Sequence, residues 1–74
     1  MDQSRTIGAG CLTPREVECM KGLAQGLTNF GISKQLHIAL PTVAMHLVNA
    51  RRKLGAETRE QAVAIAVSRG LIEP

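Results

Sequence analysis

The stretch TNFGISKQLHIALPTVAMHLVNARRKLG, residues 28–55, decides the fold. Thr28 is placed to cap a short helix running from Asn29 to Leu36, with Ile32 and Leu36 on its inner side. His37-Ile38-Ala39 reads as a tight connection, with Ile38 plugging the corner. A longer helix follows from Leu40 to Leu54. Its apolar positions Val43, Leu47, Ala50 and Leu54 recur at i, i+4, i+7 and i+11 on one face. Gly55 ends it. A short helix, a tight turn and a longer basic helix predict helix-turn-helix geometry, in which the second helix of the pair lies in the major groove of duplex DNA.

Upstream, Thr13-Pro14-Arg15-Glu16 opens another helix. Thr13 and Glu16 satisfy each other's amides, and Pro14 takes the first position, where a missing N–H costs nothing. This helix is expected from Pro14 to Gln25, with Val17, Met20, Leu23 and Ala24 inside and Gly26 as its stop. Downstream, Thr58 with Gln61 three residues on starts a fourth helix, Arg59 to Arg69, stopped by Gly70. Leu71 and Ile72 are expected to fold back as a hydrophobic tail. The fold class is therefore all-α, four short helices over 12–74, preceded by a flexible leader or linker over 1–11 that holds Gly8 and Gly10.

Composition narrows the function. The chain has 74 residues, 45% hydrophobic and 20% charged, the mix of one small globular domain. Its one aromatic is Phe30, which argues against a base-stacking sheet for single-stranded RNA. A large catalytic pocket is improbable at this size. Glu16 and Glu18 make no catalytic pair, because Glu16 is consumed by its cap and no nucleophile accompanies them. The chain is expected to be no enzyme and to need no cofactor. Cys11, Cys19, His37 and His46 match no common zinc spacing, so no metal is expected. No apolar run approaches the ~18 residues of a membrane span, and the N-terminus lacks a signal-peptide core; both predict a cytoplasmic protein with no membrane partner.

Net charge is +3, unevenly spread. No acid lies between Glu18 and Glu57, while Lys21, Lys34, Arg51, Arg52 and Lys53 all do. A basic centre between acidic ends suits a polyanion, although a solvated surface gives the same pattern. On the third helix the face opposite the core stripe carries Pro41, Ala44, Met45, Val48, Asn49 and Arg52, the expected groove face. Arg51, Arg52, Lys53 and Lys34 are expected to reach phosphates, helped by the helix start at Thr28 and Asn29. A basic last turn also suits the helix dipole with no ligand at all. Ala44, Met45 and Val48 cannot donate paired hydrogen bonds to guanine but can touch thymine methyls. Base reading is therefore expected to lean on A·T pairs, Asn49 and DNA shape.

The fourth helix carries a different signal. From Ala62 to Val67 every residue is apolar, too many for one buried stripe. Ala62, Val63 and Ala66 are expected inside, which leaves Ala64 and Val67 outward as a small dimerisation patch. So small a patch predicts a weak homodimer through helix 59–69 that forms on DNA.

LTPREVE at 12–18, AQGLTN at 24–29, TVAMHLVNARRKLG at 42–55 and REQAVAIAVSRGLI at 59–72 closely resemble the LuxR-type helix-turn-helix domain. The frame E-x-x-x-(L/M)-x-x-x-x-x-G falls on Glu16, Met20 and Gly26. T-V-x-x-H falls on Thr42, Val43 and His46, and K-L-G on Lys53, Leu54 and Gly55. The resemblance implies a four-helix domain of a bacterial transcription regulator, with helices two and three on double-stranded DNA and helix four dimerising. Thr42 and His46 join the DNA-binding candidates on this basis; His46 suits either a phosphate or packing between helices. Phe30 and Asn49-Ala50 look more like the quorum-sensing branch than response regulators, which usually carry Lys at position 30. The role of Phe30, partner anchor or lid over helix one, stays open.

Members of that branch have a ligand-binding domain N-terminal to this one. A stand-alone regulator, an excised C-terminal domain and a truncated antagonist all fit; the antagonist would form a LuxR-type heterodimer through helix four. The chain also departs from the family. Ala39 stands where a Ser usually caps helix three, a loss of about 1 kcal/mol. Leu40 and Pro41 replace the usual Glu and Lys. Gly31 replaces a Glu on helix two, a further cost of about 1 kcal/mol relative to Ala. Ala44, Met45 and Val48 stand where relatives often have Lys or Arg.

Overall fold

Thr13 starts the first helix as its spacing predicts. Its hydroxyl accepts the Glu16 amide at 3.1 Å, and the Glu16 carboxylate accepts the Thr13 amide at 3.0 Å. The same logic repeats at Thr28, which accepts from Gly31, and at Thr58, which accepts from Gln61, both at 3.0 Å. The Gln61 side chain reaches back one residue further than a capping box requires and accepts the Glu57 amide at 2.6 Å. In this computed structural model, which describes residues 12–73, the helices are α1 (Pro14–Ala24), α2 (Asn29–Leu36), α3 (Leu40–Leu54) and α4 (Arg59–Ser68). There is no strand among the described residues. The leader expected over 1–11 lies outside them.

Two ends differ from expectation by one residue. Gln25 and Arg69 are caps rather than helix members. Each donates its N–H backwards while the following glycine turns the chain away, the ordinary fraying of a last turn. Gly55 closes α3 at φ 71°, left-handed space that a side chain would resist. His37 enters the same region at φ 58° without being glycine. That turn bends the chain from α2 into α3, and the Ser33 carbonyl accepts the Ile38 amide at 3.2 Å. Ala39 caps α3 with no side-chain hydrogen bond, so the helix start relies on Pro41 in its first turn.

α3 is the central element, packed against each of the other three helices. Val43 and Ala50 are fully buried, and Leu47 and Leu54 nearly so, as their periodicity predicts. Around them gather Cys19 and Met20 of α1, Ile32 of α2, Ala62 and Ala66 of α4, and Ile72 from the tail. Leu71 folds back with it, its amide donating to the Ala66 carbonyl at 2.8 Å.

The inner face of α1 is rotated from its expected position. Glu16, Cys19, Met20 and Gly22 are its buried residues, whereas Val17, Leu23 and Ala24 are half-buried at the margin. Cys19 lies inside the core, and burial pushes its thiol above the ordinary range, so it stays a protonated packing group. Gly22 explains the rotation. A Cβ there would lie 2.8 Å from Ile32 Cγ1, so α1 and α2 close on each other only because position 22 has no side chain.

Candidate nucleic-acid interface

The α3 face opposite the core is exposed where the sequence placed it. Met45 is 51% exposed, Val48 39% and Leu40 44%, and Pro41 and Arg52 are also open to solvent. Thr42, Ala44, His46 and Asn49 are half-buried on the flanks of this ridge. No acidic residue lies anywhere on α3, or on α2 beside it. The ridge is thus an apolar stripe ending in cations.

The three cations of the last turn do different things. Arg52 is the exposed one. Arg51 lies along the protein, and its Nη1 donates to the Ala56 carbonyl at 3.0 Å. Lys53 departs from the phosphate role expected of it. Its Nζ turns inward and donates to Glu16 Oε1 at 2.9 Å, an ion pair joining the end of α3 to the start of α1. Glu16 is nearly buried, and burial alone would push its carboxyl up. The hydrogen bond and charge from Lys53, with the Thr13 amide, outweigh burial and hold it below the ordinary carboxylate range. A lysine committed to that carboxylate is a structural group.

At the start of α2, Thr28 is exposed and Asn29 half-buried. Thr28 consumes the Gly31 amide; the Asn29 and Phe30 amides before it have no acceptor in the preceding turn. Phe30 is 61% exposed, and Lys34 Nζ stands 5.6 Å from its ring centroid. The ring thus lies largely in solvent beside the ammonium of an exposed lysine.

One residue of this surface was not expected from the sequence. Arg59, the first residue of α4, reaches across to donate from Nη2 to Asn29 Oδ1. With Arg51, Asn29, Ala44, Leu47 and Val48 it lines a cleft of about 130 Å³ beside the α3 ridge. The partners are 30 positions apart, and no periodicity links them.

Of the two α4 residues expected to face outward, one does not. Ala64 is exposed, but Val67 is half-buried and packs against the core. With every position from 62 to 67 apolar, the sequence leaves the inner stripe of α4 undetermined; Ala62 and Ala66 take it and draw Val67 part of the way in. Among the described residues, no cluster of three His, Cys, Asp or Glu could hold a metal ion, and no helix is long and apolar enough to cross a membrane.

Comparisons with known proteins give the same fold. A family model described as bacterial regulatory proteins, luxR family, matches residues 10–66. The chain is 46% identical over 65 residues to the quorum sensing-dependent transcriptional regulator VjbR of Brucella abortus, covering 88% of this chain and 25% of that protein. It thus spans about a quarter of the length of such relatives. Among solved structures it superposes on the transcription factor GerE with a TM-score of 0.80 and 35% identity, over 84% of this chain and 92% of that one. It is similar also to the Vibrio cholerae VqmA dimer, a LuxR-type receptor, with a TM-score of 0.81, 28% identity, and 100% and 33% coverage.

Proposed function

The chain belongs to the luxR family of bacterial regulatory proteins, and we propose that it is the DNA-binding module of a transcription regulator that lays α3 in the major groove. One observation carries this reading. The α3 ridge exposes Met45 and Val48 to water, holds no acid, and ends in Arg52. An exposed apolar ridge flanked by cations suits thymine methyls between phosphates. Lys34 and Arg52 serve the backbone, together with the amides opening α2. Thr42, His46 and Asn49 flank the ridge within reach of the groove walls, and Asn49 is the amide placed to read adenine. Quorum sensing belongs to the relatives' description and is the favoured setting, in the bacterial cytoplasm.

Arg52→Ala tests the reading. It weakens binding to every duplex sequence and makes the dependence of affinity on salt shallower by roughly one unit of log–log slope. Titrating a labelled duplex across a salt series measures both. An unchanged slope removes Arg52 from the backbone contacts.

Pairing is the second part of the proposal. The exposed strip of α4 around Ala64 is far smaller than the ~1,000 Å² of a stable interface, so the free chain is monomeric and pairs on its site. A two-fold pair sets its α3 helices one DNA turn, about 34 Å, apart and asks for a roughly palindromic operator. A fuller-length relative's matching helix fits the same strip. Sedimentation with and without a palindromic duplex checks this: the expected species are a free monomer and a two-to-one complex. A one-to-one complex at saturation counts against pairing.

A further inference from the structure

We propose that Arg59 and Arg51 form a two-arginine clamp on one phosphate of the DNA backbone, in the cleft between α2, α3 and the start of α4. The inference rests on the DNA-binding reading above and adds to it a residue outside the helix-turn-helix pair. Arg59 and Arg51 line one cleft whose floor is apolar, made by Ala44, Leu47 and Val48. Each guanidinium is held by a neutral acceptor, Arg59 by Asn29 Oδ1 and Arg51 by the Ala56 carbonyl. Neither is paired with a carboxylate among the described residues, where the ion pairs are Arg15–Glu18 and Lys53–Glu16.

Two like charges over an apolar floor repel each other, and among the described residues no carboxylate forms an ion pair with either. A shared anion would remove that penalty. A guanidinium has five donors in a planar fork, so one hydrogen bond to the protein fixes its direction and leaves the rest for a ligand. The fork matches phosphate oxygens, and prior anchoring reduces the ordering cost of binding. The ligand is a duplex phosphate rather than a free anion because of where the cleft opens. It shares Val48 and Ala44 with the groove ridge and Asn29 with the first turn of α2. A strand whose bases meet the ridge passes its backbone over this cleft.

The clamp also ties α4 to the bound strand. α2 and α4 do not otherwise pack on each other; the Asn29–Arg59 hydrogen bond is the bridge between them. Seating a phosphate there fixes the first turn of α4 relative to the DNA.

The test is anisotropy of a labelled 20-base-pair duplex from 50 to 200 mM salt, on the 74-residue chain and three variants. Arg59→Gln is expected to bind about tenfold more weakly at low salt, with a slope shallower by about 0.9. Arg59→Lys keeps the charge and hence the slope, but loses the fork and binds less tightly than the parent. Arg69→Gln removes an equal charge at the far end of α4 and leaves both quantities unchanged. Unfolding of each variant by circular dichroism separates lost contact from lost fold. If the parent shows salt-dependent binding and Arg59→Gln keeps the parental slope, the clamp is overturned while the DNA reading stands. If the parent shows no salt-dependent duplex binding, both fall.

Discussion

Lys53→Met lowers folding stability by about 2–3 kcal/mol, the largest loss expected from any single surface-accessible cation. The cause lies in its partner. Glu16 has a side chain 4% exposed and Lys53 one 31% exposed, so the two ends of the ion pair are unequal. Removing one member of a buried pair typically costs 3–5 kcal/mol, because it strands the other charge. Here the stranded group is the buried carboxylate, which keeps only the Thr13 amide; the partial exposure of Lys53 in the parent trims the figure. Glu16→Gln strands the lysine instead. That ammonium can turn to water, and glutamine still suits the capping box, so this loss is nearer 1 kcal/mol.

Thermal unfolding at neutral pH measures the difference. For a domain this small, 2–3 kcal/mol corresponds to a fall in Tm on the order of 13–19 °C. Equal effects of the two variants would mean that the pair is not buried from one side. The pH dependence gives a second readout. The folded Glu16 pKa lies below its unfolded value, so its contribution is full above the ordinary carboxylate range and is lost as pH falls through the folded pKa. In Lys53→Met that acid-side loss shrinks, because the cation holding the pKa down is gone.

Met45→Glu abolishes useful DNA binding, by about 100-fold or nearly 3 kcal/mol, without unfolding the chain. Met45 is half exposed and touches no ligand within the protein, and both residues are good helix formers, so stability changes by a few tenths of a kcal/mol. On the duplex the effect is different. A carboxylate on the ridge faces base-edge acceptors between two rows of phosphates, and such like-charge placement costs several kcal/mol. Affinity for a mixed-sequence duplex, beside an unfolding curve, separates the two. A variant that binds within threefold of the parent would place Met45 outside the groove.

The four helices were legible because their signals are local. Thr13-Pro14-x-Glu16, Thr28, Thr58, Gly26, Gly55 and Gly70 each act within four residues, and the Val43–Leu47–Ala50–Leu54 stripe follows from helical period alone. The α3 ridge was legible for the same reason, as the complement of that stripe. The ion pair and the cleft were not. Lys53 and Glu16 are 37 positions apart and Asn29 and Arg59 are 30, so only the packing of α1, α2 and α4 around α3 brings them together. A basic last turn looks the same whether its lysine meets phosphate or carboxylate. Nothing near Gly22 in the chain marks it out, because what requires a glycine there is the approach of Ile32 from another helix. Val67 was misplaced because an unbroken apolar run names no inner face.

The central claim, that α3 is the element that meets duplex DNA, is tested most directly by amide chemical shifts. A ¹⁵N-labelled chain is titrated with a 20-base-pair duplex at low salt, and the shift changes are mapped by residue. The account predicts the largest changes at Ala44, Met45, Val48, Asn49 and Arg52, with a second group at Thr28, Asn29 and Phe30. The outer surface of α1 around Arg15 and Glu18 should stay unperturbed. Changes concentrated on α1, or spread evenly over all four helices with α3 no larger than the rest, would contradict it.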